Sequence, residues 1–428
     1  MKTKGKHTGT LRHLALTLPL ALATAGLTGS AHAAITLPVS AALPTNSVSN
    51  PGFFVRTAQA STNVVVANSF NRALRQIHGT LTDAANNLVT NVALPGTNSG
   101  GAYYAEQVSF ERDATSYSPI DASGTPQYFI FADLFPGIPG DEGQTSQFAT
   151  EAVGLVWLAA GVHHLAISAN ADRTDVNDDD GYAVYVGANP RDYFATKIAE
   201  FNRGGAAGFA GNQYVENAFE VIAPVAGAYP FRILYWQQSR GANLTFYTIN
   251  TNTTERIPIN YPFDPNALPA FRSSTVARFN APYVGEISPV PGSAGNSSAA
   301  PIEILLFDGT SATVNTSSIQ LSLNGVTVIP QTKTKTGDKT TIRFSPDAGR
   351  TDLNNQVKLI YADSNGVSNT NQWAFTIITA GGSSTRVTGQ WDFDFGDFRA
   401  TVGQPLAYFD PTYDGPTGSA PTKTQFGT

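Results

Sequence analysis

Apolar and polar residues alternate with a period of two along much of this chain, which predicts β-strands rather than helices. Glycine, proline and asparagine clusters separate these alternating segments and mark turns. Residues 64–81 are the one stretch that a partial helix would fit, and their Val and Thr content disfavours it. The clearest strands between residues 52 and 274 are predicted at 129–131, 152–158, 164–168, 182–186, 228–236 and 244–249.

After residue 282 the predicted strands are shorter and more regularly spaced. Ile319, Leu321 and Leu323 alternate up to Asn324-Gly325, and alternation resumes after that pair. An Asn-Gly pair between alternating strands predicts a two-residue hairpin, because both positions tolerate positive φ. Six or seven such strands in roughly 95 residues are typical of an immunoglobulin-like sandwich.

The composition of the chain limits the partners and the location that this protein can have. The chain has no cysteine, only 14% charged residues and a net charge of −6. No basic stripe is present, which argues against nucleic acid or an anionic membrane as a partner. Residues 1–33 combine four basic residues, an apolar stretch at 14–27 and Ala31-His32-Ala33, which predicts a secretory signal peptide and a mature chain without a membrane span.

These observations predict an all-β protein of tandem β-sandwiches, secreted or at the cell surface. Its predicted segments are a signal peptide (1–33), a polar leader without a core (34–51), a first sandwich (52–274), an immunoglobulin-like sandwich (282–379), a linker (380–390) and the start of a further module (391–428). Short linkers between sandwiches would make a stiff arm.

The segment richest in candidate chemistry is 170–180, which holds five aspartates and two asparagines between two predicted strands. Asp175, Asn177, Asp179 and Asp180 have the alternating oxygen-ligand spacing of a calcium loop. The segment does not fit the EF-hand template, since Gly181 comes one position late and Val186 stands where a bidentate acid belongs. Two interpretations stay open: a bound calcium ion, or a solvated acidic turn.

Four pieces of sequence, in order, resemble the protective-antigen-type (PA fourteen) β-sandwich family: AAGVHHL at 159–165, DDGYAVYV at 179–186, AGAYPFRILY at 226–235 and GANLTFY at 241–247. The resemblance covers about half of the mature chain and implies a jelly-roll sandwich. In adhesin members of that family, the paired aspartates hold a calcium ion that bridges two hydroxyls of a terminal sugar.

Carried over residue by residue, the resemblance assigns sugar and calcium binding to Asp179 and Asp180. Adhesins take an asparagine from a second loop, for which Asn202 and Asn212 are the candidates here. This chain departs from the family pattern in residues 173–178, which lengthen the acidic loop. Residues 391–410 resemble the beginning of a laminin-G-like module.

Signatures of the common enzyme classes are absent from the sequence: no Gly-x-Ser-x-Gly, no His-Glu-x-x-His, no phosphate-binding glycine loop and no cysteine nucleophile. The sequence therefore predicts a non-catalytic protein that binds a glycan or cell-surface polysaccharide with calcium. The alternatives are a structural spacer of a large surface or matrix protein, and the accessory region of an exported glycoside hydrolase. The oligomeric state is not predicted.

Overall fold

The computed structural model of the chain describes residues 34–64, 66–112, 116–117, 130–169, 180–202, 215–239 and 242–378. These residues form 26 strands and one α-helix, which confirms the all-β class. The predicted signal peptide, the linker at 380–390 and the module at 391–428 lie outside the described residues.

The strands up to residue 274 form the first sandwich. They are β1 (Ile35–Thr36), β2 (Val48–Pro51), β3 (Phe53–Gln59), β4 (Tyr103–Ala105), β5 (Ser109–Glu111), β6 (Ser116–Tyr117), β7 (Ile130–Phe131), β8 (Asp133–Leu134), β9 (Phe148–Leu158), β10 (Gly161–Ala169), β11 (Gly181–Val186), β12 (Thr196–Asn202), β13 (Val215–Ala223), β14 (Gly227–Gln237), β15 (Asn243–Ile249), β16 (Arg256–Pro258) and β17 (Ala270–Ser274).

Two large sheets make up this sandwich, and β6 and β7 pair with each other in a separate two-stranded sheet. Sheet 1 has the order β1-β13-β10-β15-β5-β8, with β16 also on β15. Sheet 2 has the order β12-β11-β14-β9-β17-β2, and β3 joins it through β9 while β4 pairs with β3. Alternate residues of both sheets meet in one core, which includes Phe53, Phe110, Phe231, Tyr235 and Phe246. Strand periodicity thus places every second side chain between the sheets.

Both faces of β14 are buried, so sheet 2 is covered on its outer side as well. Part of that cover is helix α1 (Phe70–His78), whose Leu74 packs with Leu234 and Trp236. Ser69 Oγ accepts the backbone N–H of Arg72 at the start of α1, and Gly79 ends it at φ 64°. Both are the usual cap residues, and they define a helix shorter than the stretch considered from the sequence.

The prediction that residues 34–51 form a leader without a core is wrong. Ile35–Thr36 adds a parallel strand to β13 of sheet 1. Leu37 and Ala41 are buried in the core of the first sandwich, and Leu43 is buried beside Val153. Eight of the 18 residues at 34–51 are Ala, Val, Ile or Leu, and Leu37 and Ala41 among them extend the core of the first sandwich.

The remaining described strands form a second sandwich. They are β18 (Tyr283–Ser288), β19 (Asn296–Ser297), β20 (Ile302–Phe307), β21 (Val314–Leu323), β22 (Val326–Val328), β23 (Thr332–Thr336), β24 (Lys339–Phe344), β25 (Asn354–Asp363) and β26 (Ser368–Ile378).

The second sandwich has sheets of four and five strands around its own core. Their orders are β18-β20-β24-β23 and β19-β26-β25-β21-β22. Asn324 and Gly325, at φ 52° and 81°, join β21 to β22 in register, which confirms the predicted hairpin. The strand order is compatible with an immunoglobulin-like sandwich, and that assignment stays a prediction.

The second sandwich packs directly against the first. The backbone N–H of Tyr193 donates to the carbonyl of Val284 at 2.7 Å, and Asn189 Nδ2 donates to the carbonyl of Ala281 at 3.0 Å. Phe194 lies 6.0 Å from Trp373 between ring centroids. The two sandwiches therefore share a continuous contact surface.

A group of charged side chains lies under this contact on the outer face of sheet 2; we call it the Glu151 cluster. Glu151 is fully buried and contacts Arg56 at 2.6 Å, Arg191 at 3.0 Å and Arg232 at 2.8 Å. The Arg232 contact is an ion pair without hydrogen-bond alignment. Burial favours the neutral acid, but the three guanidinium groups hold the pKa of Glu151 well below its ordinary value.

His78 joins α1 to the second sandwich. Its Nδ1 lies 3.0 Å from Glu286 Oε1, and its ring is 4.6 Å from that of Phe307. Burial lowers the pKa of His78, and the contact with Glu286 only partly opposes this. Below about pH 6.5 the unfolded chain therefore binds a proton that the folded chain does not, and the free energy of unfolding falls as the pH falls.

His78→Asn should therefore make the stability of the protein less sensitive to acid. We expect the free energy of unfolding to fall less steeply below pH 6.5 in this variant, by at most about 1.4 kcal/mol per pH unit. Burial also raises the pKa of Asp192 to about 6, which favours the folded state at acid pH. Comparing urea unfolding of wild type and variant at each pH cancels that term, and equal slopes would contradict the role given to His78.

Candidate functional site

Asp180 lies at one end of the first sandwich, immediately before β11. It is fully buried, and its Oδ2 accepts the backbone N–H of Asn243 at 3.4 Å. Asn243 is the first residue of β15 in sheet 1, whereas β11 belongs to sheet 2. The carboxylate therefore spans the gap between the two sheets at this end of the sandwich.

Gly181 is fixed by the side chain that packs against it. It pairs with Trp236 across β11 and β14, and a Cβ at Gly181 would lie 2.3–2.4 Å from three atoms of the indole. The backbone of Gly181 is outside the left-handed region. The glycine after the aspartate pair is thus required by close packing rather than by a turn conformation.

Asn202 is brought to the same place by strand register. It is the last residue of β12 and the Cα partner of Gly181, so its backbone lies next to the position of Asp180. β10 ends here at Ala169, which pairs with both Val215 and Leu244. The strand ends that flank 170–179 and 203–214 therefore meet at one end of the sandwich.

The other predicted site residues, Asp175, Asn177, Asp179 and Asn212, lie outside the described residues. Of the six candidates, the structure therefore places Asp180 and the backbone of Asn202, and it puts these two next to each other.

Asn243 is a candidate that the sequence prediction missed. Its side chain is fully buried, and neither Oδ1 nor Nδ2 has a hydrogen-bond partner among the described residues. A buried amide without partners costs free energy of about 1–3 kcal/mol, so it marks a position where a ligand would be stabilising. The sequence feature that could have identified Asn243 is its position, as a polar residue directly before the strand segment LTFY.

The described oxygen donors suit a hard cation, though they do not complete its coordination. Calcium takes six to eight oxygen ligands from carboxylates, amides, carbonyls and water. Asp180 offers a carboxylate and Asn243 an amide oxygen. In the part of the chain that the structure describes, no group of three or more His, Asp or Glu side chains is placed to hold a metal ion. Further ligands would have to come from outside these residues, from a glycan or from water.

Comparison with known proteins gives structural neighbours and no sequence relatives. No family model matches the chain, and no curated protein matches it. Similar solved structures include a PA14 sugar-binding domain from an RTX adhesin, at 15% identity and TM-score 0.27 over 49% of this chain and 96% of that one.

Two further neighbours have similar scores. The A domain of Epithelial Adhesin 9 from Candida glabrata, in complex with Galb1-4GlcNAc, has 14% identity and TM-score 0.33 over 57% of this chain and 99% of that one. The PA14 domain of the MpAFP antifreeze protein has 12% identity and TM-score 0.27, over 53% and 94%. At these scores the neighbours carry no argument about ligand or mechanism. Separately, no helix in the described ranges has the length and apolar character needed to cross a membrane.

Proposed function

We propose that this protein is a non-catalytic, exported or surface-located glycan-binding protein, whose site is the Asp180 end of the first sandwich. The observation that carries the proposal is the buried Asp180 carboxylate, which accepts the backbone N–H of Asn243, a residue whose own buried side-chain amide has no hydrogen-bond partner among the described residues. A bound ligand would form hydrogen bonds with this amide. Asn202, which pairs with Gly181 across β11 and β12, would be a third polar residue at the site. Beta-lactose and Galb1-4GlcNAc, the sugars in crystals of two structural neighbours, serve only as convenient first probes.

Calcium is part of the proposal. Asp180 and Asn243 would hold the ion, and the ion would supply charge to orient two sugar hydroxyls. Burial of Asp180 and its bond from the Asn243 N–H would keep the carboxylate oriented before the ligand arrives, which lowers the entropy lost on binding. A site at ordered strand ends therefore loses less entropy on binding than a site formed by loops alone.

Asp180→Asn should abolish calcium-linked stabilisation and weaken sugar binding. In the wild type, calcium at about 100 times its Kd should raise the free energy of unfolding by about 2.7 kcal/mol. In the variant we expect no rise, and at least a tenfold weaker Kd for lactose or N-acetyllactosamine, equivalent to about 1.4 kcal/mol. Isothermal titration calorimetry and thermal unfolding, each with calcium and with chelator, measure both effects.

Asp363→Asn provides a matched control. Asp363 is buried in the second sandwich and, like Asp180, accepts backbone N–H groups. Its replacement should lower stability while leaving the calcium effect intact. A wild type that shows neither calcium stabilisation nor sugar binding would overturn the proposal.

A structural spacer is the second candidate, and the contact between the sandwiches favours it. The contact between His78 and Glu286 and the ring contact between Phe194 and Trp373 both join the two sandwiches, as a rigid spacer would require. Calcium stabilisation without binding to any glycan would support the spacer.

A further inference from the structure

The first sandwich also has a cleft, at the end opposite Asp180. Its volume is about 440 Å³, and the loop at 259–269 forms one wall while Pro51 and Glu106 lie on another. The loop follows β16, which pairs with residues 247–249 at the end of β15 opposite Asn243. We call this place the Phe263 cleft.

One aromatic ring, that of Tyr261, lines the Phe263 cleft. The ring of Phe263 lies beside it on the same loop, outside the lining itself, and is 83% exposed. The rings meet edge to face with centroids 5.5 Å apart. A large apolar side chain left in water on a cleft-forming loop offers surface that a ligand would cover.

The loop that carries these rings is held at both ends. Asn260 Nδ2 donates to the carbonyl of Glu106 at 2.7 Å, and its Oδ1 accepts the N–H of Ala270 at 3.2 Å. Asp264 Oδ1 accepts the N–H of Asn266 at 2.8 Å, which fixes the turn after Phe263. The rings are therefore presented by an ordered backbone, which lowers the ordering cost of binding.

The polar groups of the cleft indicate the chemistry of its ligand. Glu106 and Asp264 bring carboxylates, which accept hydrogen bonds. Arg272 brings a donor; it also donates to the carbonyl of Pro51, and its guanidinium stacks on Tyr104 at 4.3 Å. Two carboxylates disfavour an anion, and interleaved donors and acceptors disfavour a purely apolar ligand. A sugar ring fits both features, with its C–H face on an aromatic ring and its hydroxyls on the polar groups.

We infer that the Phe263 cleft is a second glycan-binding site for neutral oligosaccharides, and that it works without calcium. It is separate from the site proposed at Asp180, and either can fail without the other. With two sites at opposite ends of one sandwich, the protein would bind one polysaccharide at two points. Its avidity would then exceed the affinity of either site alone.

The test uses the mature protein on an array of neutral oligosaccharides in the presence of chelator, followed by titration of the best oligosaccharide. We expect the wild type to bind in the presence of chelator, and Phe263→Ser to bind at least tenfold more weakly. Asp264→Asn should also weaken binding. Ile329→Ser is the matched control, since Ile329 is 85% exposed on the second sandwich, and it should change nothing.

Three outcomes would overturn the inference. The wild type could bind no neutral oligosaccharide in chelator, or Phe263→Ser could bind oligosaccharide like the wild type. In the third outcome, Phe263→Ser loses self-association and keeps its glycan binding. Thermal unfolding of Phe263→Ser checks that the fold is intact. Failure of the Asp180 site appears differently, as the absence of any calcium-dependent binding.

Discussion

Glu151→Ala should lower the free energy of unfolding by about 3–5 kcal/mol, the range for breaking a buried ion pair by removing one partner. The variant leaves the guanidinium groups of Arg56, Arg191 and Arg232 without the carboxylate that they share. Arg232 is nearly as buried as Glu151, so water cannot readily replace the lost charge. Urea-induced unfolding followed by tryptophan fluorescence measures the loss.

Two controls sharpen this experiment. Glu303→Ala removes a carboxylate paired with Arg343 where both side chains are half exposed, and we expect a change of about 1 kcal/mol or less. Glu151→Gln keeps the volume and removes the charge, so a loss close to that of alanine would assign the effect to charge. A Glu151→Ala variant within 1 kcal/mol of wild type would contradict the importance of the cluster.

Gly181→Ala should lower the free energy of unfolding by about 1–3 kcal/mol, the usual cost of overpacking a core. The new methyl group would overlap the Trp236 indole, and the strand or the ring must move. Because Asp180 precedes this glycine, we also expect the calcium-dependent rise in melting temperature that the proposed site predicts to be smaller in this variant. Thermal unfolding with calcium and with chelator measures both changes.

A double-mutant cycle separates the clash from other effects of the methyl group. Trp236→Leu removes the ring atoms nearest to Gly181, so Gly181→Ala should cost less in that background than in the wild type. An equal cost in both backgrounds would show that the indole is not what excludes a side chain at this position.

Local pattern was enough to predict β9, β10, β11, β14 and β15, where the apolar residues that face the core are regularly placed. Other strands, including β3, β12 and β13, were not predicted. The hairpin at Asn324-Gly325 was predictable because turn conformation depends on those two residues. Helix α1 was harder, although Ser69 and Gly79 are recognisable caps. Its apolar side chains face sheet 2, and nothing within nine residues reveals that partner.

The candidate site was predictable only in part. The acidic segment and the glycine after it drew attention to Asp180, and the family resemblance suggested a role. Asn243 was missed because its importance depends on being buried without partners, which is a property of packing. The Phe263 cleft was missed for a similar reason, since Glu106 and Asp264 are far apart in sequence.

The sequence by itself determined the all-β class, the turns and the position of the acidic segment, because each depends on residues close together in the chain. The tertiary structure alone decided which strands meet, and so placed Asp180 beside Asn243 and Glu151 among three arginines. The physical reason is that burial and charge pairing act through space. The partners of Glu151 lie 95, 40 and 81 residues away, and no local pattern records such distances.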